Sequence, residues 1–315
     1  MAGSTSVVLA ALFANGAIAV LKFGGFLLTG SPSMLSETLH SVSDTGNQVF
    51  LLLGIRYSGK KASRGHPFGY GKAQFFYAFL VSVLLFGIAG WESLKHGYHA
   101  VLEAGHVEGG SFTVPFVGAT METYWLNVVI LSSAILFETY AFVKANKELR
   151  RQMEQFGWST LREAFQRTSD VTTLTAFTED AIALGGAAIA LVGITLTRVT
   201  GNGIYDAITA GIIGLLLMGF AVALAWENKR LLLGESLPRD AERDLQNIIE
   251  GHSAVSHVDT FRTVFFGPQR ALVAAEVSFD PELVTGDIDE VIADIEDKLR
   301  AGDSRVELIY IEPEL

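Results

Sequence analysis

The sequence predicts an α-helical membrane protein, with six transmembrane helices followed by a small α+β domain, and three observations predict it. Half of the 315 residues are hydrophobic and only 18% are charged, a composition that water tolerates only with large apolar patches exposed. The apolar residues are bunched into runs of roughly 20, the length that spans a hydrocarbon core. The charge is unevenly divided, since residues 227–315 hold 9 Lys/Arg against 20 Asp/Glu while residues 1–226 hold 14 of each. The net charge of −11 therefore belongs to the tail. Two domains follow, 1–226 in the membrane and 227–315 outside it.

The spans lie at about 7–29, 34–57, 74–97, 123–145, 171–196 and 204–226. Each is helical, because backbone groups in hydrocarbon have no water to bond. The short links Thr29–Ser33 and Thr197–Gly203 predict two helical hairpins. The first run begins near Ser6 without a basic leader or a cleavage site, which predicts a retained helix. The lack of an Arg-rich, Ser-rich transit segment predicts a bacterial plasma membrane.

Basic residues orient the spans. Lys60, Lys61, Arg64 and Lys72 lie between spans 2 and 3, Lys147, Arg150, Arg151, Arg162 and Arg167 between 4 and 5, and Lys229 and Arg230 after 6. The links after spans 1 and 3 have none, and that after span 5 has only Arg198. By the positive-inside rule, both termini and the tail are cytoplasmic.

Within 146–170, Trp158, Leu161 and Phe165 recur at helical spacing, which fits either an amphipathic interface helix or a simple linker. In the tail, 239–250 reads as helix, 258–266 and 271–279 as strands around the Gly267-Pro268 turn, 288–300 as helix and 305–311 as strand. That order predicts a small α+β sandwich with its helices on one sheet face. A core of this size is one that dimerisation would help.

Its acidity argues against nucleic acid or anionic lipid as a partner of the tail and is compatible with cations. There is no Cys, so metal must be held by His, carboxylates or other oxygen donors. Span 2 offers such donors: His40 and Asp44 lie one turn apart on the same face. Ionisable groups in a span are costly and mark ion paths, the alternative being a polar pair that joins helices. Glu37 and Asn47 extend the stripe, with Glu37 also explicable by the interface.

Span 5 adds Glu179 and Asp180, which diverge by about 100° and cannot face one small ion equally. Asp180 is the expected ligand, with Glu179 in a supporting or proton-handling role. Gly185 to Ala188 are small enough for close helix contact. Glu138 is either a proton carrier or the partner of Lys22, and Asp206 sits at the start of span 6, where the interface can solvate it.

Ser31-Pro32-Ser33 through His40-Ser41-Val42-Ser43-Asp44, then Gly46-Asn47-Gln48, His66-Pro67-Phe68-Gly69-Tyr70-Gly71-Lys72 and Gly234-Glu235-Ser236, resemble the cation diffusion facilitator family over essentially the whole chain. The resemblance implies a homodimer with a metallochaperone-like, ferredoxin-like tail domain, exchanging divalent cations for protons by alternating access. It also implies a tetrahedral site with two ligands from span 2 and two from span 5. His40, Asp44 and Asp180 match three of these, and the fourth falls on Ala176, which cannot bind metal. This departure resembles the branch around mitochondrial zinc transporters, with a Glu-Asp pair in span 5. Glu179, Asn47 or water would then complete the shell.

One imidazole and two carboxylates suit Zn²⁺, with Mn²⁺, Fe²⁺ and Co²⁺ admitted by the oxygen donors. An imidazole titrates near neutrality, so metal and proton compete for His40 and exchange needs no ATP or prosthetic group. Outside the spans, His252, His257 and Asp259 are either a regulatory metal site or surface groups. His66 serves a turn or a further site, and His96, His99 and His106 belong to the outer surface or to weak metal capture. An intramembrane metalloenzyme would need a general base and an open ligand position, and there is no His-Glu-x-x-His helix. The remaining alternative is a non-transporting metal sensor or regulatory partner.

Overall fold

The computed structural model describes residues 2–103, 111–113, 120–161, 163–164 and 171–314. Arg162, Phe165, Arg167 and His106 lie outside them. Among the described residues, six long helices lie within the first 233: α1 (Ala2–Thr29), α2 (Pro32–Ser58), α3 (Ala73–Leu102), α4 (Thr123–Phe156), α5 (Val171–Thr200) and α6 (Ile204–Leu233). The chain divides into two compact units, Met1–Leu53 with Tyr77–Trp226, and Gly54–Phe76 with Glu227–Leu315.

Local chemistry sets the helix ends. Gly30 takes φ 65 after α1, and Pro32 opens α2, where a missing N–H costs nothing. Ser31 Oγ caps α2 by accepting the Met34 N–H at 3.2 Å. Asp206 Oδ1 accepts the Ser33 N–H at 3.2 Å. Asp206 is thus buried and bonded rather than solvated at the interface.

The first unit is turned inside out relative to a water-soluble protein. Lys22, Glu37 and His40 are 0%, 0% and 1% exposed, whereas Phe13, Leu136 and Leu215 are 76%, 74% and 57% exposed. Such a surface belongs in lipid. Helices α1, α3, α4, α5 and α6 are long and apolar enough to cross a membrane. Helix α2 is not among these five, since its Ser, Thr, His, Asp and Asn residues dilute its apolar content.

The core of this unit joins Met34 of α2, Leu85 and Ala89 of α3, Leu131 of α4, Ala190 and Ile194 of α5, and Ile213 and Leu217 of α6. The middle of α3, Leu85–Gly90, is π-helical. Glycines let α3 press on α6: a Cβ on Gly97 would stand 2.6 Å from Gly211 N, and one on Gly214 2.6 Å from Leu94 N. In the α3–α4 link, β1 (Ser111–Thr113) pairs antiparallel with β2 (Thr120–Glu122). Glu122 then meets Arg198, from the end of α5, at 2.7 Å.

Residues 146–156 do not begin a separate interface helix. They continue α4, whose 34 residues measure about 51 Å at the usual rise. The helix stops at Gly157, φ 69, where the Trp158 N–H reaches Met153 O at 2.9 Å, a Schellman ending.

In the second unit, α7 (Arg239–Glu250), β3 (Val255–Gly267), β4 (Arg270–Phe279), α8 (Thr285–Gly302) and β5 (Val306–Glu314) form the expected α+β domain. The sheet order is β3-β4-β5, with β3 and β4 antiparallel and β4 and β5 parallel through the α8 crossover. Every second residue of β4, from Ala271 to Phe279, is buried, as are Leu245 and Ile249 of α7 and Ile295 and Leu299 of α8. The His66–Lys72 motif belongs to this unit. Gly71 lies against Gly267, with room for no Cβ. Lys72 Nζ donates to Leu232 O at 3.3 Å, and the His66 ring stacks on Tyr70 at 4.1 Å.

Candidate metal centre

Helix α2 places Glu37, His40, Asp44 and Asn47 on one face, because steps of three and four residues return to the same side. His40 is 1% exposed, and neither ring nitrogen has a hydrogen-bond partner. Its Nε2 stands 3.5 Å from Asp44 Oδ2. A buried imidazole without partners is costly, and the lone pair on its unprotonated nitrogen is what a borderline metal ion seeks.

Helix α5 brings Glu179 to this face. Asn47 Nδ2 lies 3.2 Å from each Glu179 carboxylate oxygen, and the Asp44 and Glu179 carboxyls are electrostatic neighbours. Asp180, the expected ligand, is half-buried and has Glu179 and Glu138 as electrostatic neighbours. Ala176 occupies α5 one turn earlier. Among the described residues, no three His, Asp or Glu side chains converge on a ready-made metal position.

Beyond this stripe, Lys22 of α1 is paired with Glu37, not with Glu138. The Nζ–Oε2 distance is 2.8 Å and both side chains are 0% exposed. Glu37 is therefore not an interface residue. Its other oxygen, Oε1, is buried without a partner, and a Cβ on Gly186 of α5 would lie 2.6 Å from it. Lys22 also acts electrostatically on His40, Asp44 and Glu138. Lys22 thus pairs with the acid already on the α2 stripe rather than with the lone Glu138 of α4.

In the tail, His252 is engaged locally. Its Nδ1 accepts the Ala254 N–H at 3.2 Å and its Nε2 lies 3.1 Å from Asp294 Oδ2. The Lys298 ammonium, 2.5 Å from Asp294, holds that carboxyl below the usual range, with His252 helping. His257 instead pairs with Ser278 across β3 and β4.

The cation efflux transmembrane domain family matches residues 8–233. The protein named proton-coupled zinc antiporter SLC30A9, mitochondrial, of Xenopus laevis is 29% identical over 309 residues, 96% of this chain and 53% of that protein. Metal tolerance protein C4 of Arabidopsis thaliana is 26% identical over 281 residues, 89% of this chain and 58% of that one. Cation-efflux pump FieF of Escherichia coli is 26% identical over 251 residues, covering 80% and 73%. The chain spans about half the length of the antiporters it matches. With the family match running from α1 through α6 and the efflux motifs in place, the chain belongs to the cation efflux, or cation diffusion facilitator, family.

Proposed function

We propose that the protein is a divalent metal cation:proton antiporter that exports Zn²⁺ by alternating access, with Mn²⁺, Fe²⁺ and Co²⁺ as admissible ions. His40 carries the reading: a buried imidazole with both nitrogens unpartnered, one turn from Asp44, is a ligand set before it is a structural contact. The names of the relatives, zinc antiporter and cation-efflux pump, support the same class.

His40 and Asp44 would bind the ion from α2, with Glu179 and Asp180 supplying carboxylates from α5. Asn47 would orient Glu179, or enter the shell itself. A proton held between Asp44 and Glu179, or on His40, must leave before the ion is bound, so the two ligands alternate at one site. No prosthetic group is required, and transport rather than catalysis is the activity. The proposal includes a homodimer in a bacterial plasma membrane with both termini and the tail cytoplasmic. The basic links support this orientation, as do the Ser33–Asp206 and Glu122–Arg198 contacts, which join the three links poor in basic residues.

The test is uptake of Zn²⁺ and Mn²⁺ into liposomes under an imposed pH gradient, beside an Asp44→Ala, Asp180→Ala double variant. Gradient-driven uptake that the double variant abolishes is expected. Metal binding without uptake above empty liposomes would overturn transport in favour of a sensor or regulatory partner.

A further inference from the structure

We infer that Gln48 of α2 is a further ion-contacting residue: its carboxamide oxygen is a neutral stepping position for the transported cation, one turn beyond Asp44, and it helps set which divalent ion passes. The inference rests on His40 and Asp44 as the transport ligands.

Among the described residues, the buried side-chain atoms of α2 that have no hydrogen-bond partner are Glu37 Oε1, both ring nitrogens of His40 and Gln48 Oε1. They do not scatter around the helix. At about 100° per residue, Glu37, Asp44 and Gln48 fall within about 40° of one another, with His40 about 40° to one side of Asp44. The line runs about 16 Å along α2, from Glu37 to Gln48. Buried polar groups are ordinarily bonded, and in a membrane interior those that are not mark a path for ions. The two ends of the line differ. The Glu37 carboxylate already holds the Lys22 ammonium at 2.8 Å, whereas no group bonds the Gln48 oxygen.

A carboxamide oxygen suits a position on a path. It has two lone pairs and no charge, so it can replace a water in the shell of a divalent ion while binding it more weakly than a carboxylate does. Asp44 and Gln48 are separated by about 6 Å along the axis, one step for an ion passing from oxygen to oxygen. An ion must be able to leave such a position as well as enter it, and a second carboxylate there would hold it. As an oxygen donor Gln48 favours harder ions, Mn²⁺ over Zn²⁺, and so offsets part of the preference for zinc that the His40 imidazole confers.

The experiment measures initial uptake of Zn²⁺, and of Mn²⁺ directly or as a competitor of Zn²⁺, into liposomes holding the full chain under an imposed pH gradient. Equilibrium dialysis of the same preparations gives the Zn²⁺ Kd. Gln48→Leu removes the oxygen at similar size, and Gln48→Met serves if that variant is not monodisperse. Either is expected to lower kcat/KM for Zn²⁺ about tenfold, the cost of one oxygen contact at the barrier, and for Mn²⁺ further. The Zn²⁺ Kd should stay within about twofold, since His40 and Asp44 are untouched. Gln48→Glu, which keeps an oxygen and adds charge, should shift the Mn²⁺ to Zn²⁺ ratio the opposite way. A packing defect does not produce opposite shifts. Unchanged uptake in the folded Leu or Met variant, or equal losses for both ions with no opposite shift in Gln48→Glu, overturns the role of Gln48 alone. A Zn²⁺ Kd weakened about tenfold overturns it too, by making Gln48 a ligand of the main site. Wild type that moves no Zn²⁺ above empty liposomes overturns the transport reading instead.

Discussion

Asn47 Nδ2 stands 3.2 Å from both carboxylate oxygens of Glu179, so a single amide on α2 fixes an acid on α5. Seven residues separate Asp44 from Glu37 and seven separate Gly186 from Glu179. The two helices therefore touch at two heights about 10.5 Å apart along their axes. At one, Glu37 meets Gly186, and at the other Asp44 and Asn47 meet Glu179. Asn47→Ala is expected to weaken Zn²⁺ binding by about 10 to 100-fold, as is usual when the partner orienting a metal ligand is lost. Isothermal titration of the purified variant would show it, and unchanged affinity would place Glu179 outside the site.

The assignment of Glu179 and Asp180 separates by substitution. Glu179 is bonded to Asn47 of the α2 stripe, whereas among the described residues Asp180 has only electrostatic neighbours. Glu179→Ala is expected to lower Zn²⁺ affinity more than Asp180→Ala, by at least about tenfold, equivalent to about 1.4 kcal/mol. The reverse order in the same titration would make Asp180 the principal ligand from α5.

Much of the fold was legible because the membrane demands long apolar helices and the tail alternates cleanly. The six helices and every tail element occur where the pattern places them, with tail strand and helix ends at most three residues away. Other features depend on three dimensions. Residues 146–156 read equally well as linker, interface helix or continuation of α4, and the left-handed Gly157 ends α4 before Trp158 and Leu161. Which member of Glu179-Asp180 turns toward α2 depends on how α5 is rotated by its packing. Lys22 had two acids within a plausible reach, and His252 bonds Asp294, 42 residues away.

Glycine contacts between α3 and α6 give a stability prediction. A Cβ on Gly97 would stand 2.6 Å from Gly211 N and 3.0 Å from Ala207 O, both backbone atoms that cannot step aside. Gly97→Ala should therefore separate the helices and destabilise by about 1–3 kcal/mol. Gly219, with nothing within 4 Å of its Cβ position, is the control, and Gly219→Ala should stay within about 0.5 kcal/mol. Thermal unfolding in detergent compares them, and equal Tm values would refute the close contact.

The tail domain carries a pH-dependent anchor between α8 and β5. Burial pushes the Asp303 carboxyl up, but Arg305 outweighs it through hydrogen bonds and charge, holding Asp303 below its ordinary range. Asp303 Oδ1 accepts the Arg305 N–H at 2.9 Å, and Oδ2 meets the guanidinium at 2.5 Å. A depressed carboxyl stabilises the fold above its unfolded pKa, and that stability is lost as pH falls through its folded pKa. At neutral pH, Asp303→Asn should therefore cost about 1.5 kcal/mol, the lower end of the range for hydrogen bonds to a charged group, since the pair is partly exposed. In acid well below the ordinary carboxylate range, where the wild-type carboxyl takes up its proton, the variant and wild type should converge. Scanning fluorimetry at both pH values reads the difference directly. A Tm gap that persists undiminished in acid would mean that the Asn side chain disturbs the turn itself, and that the ion pair to Arg305 contributes nothing.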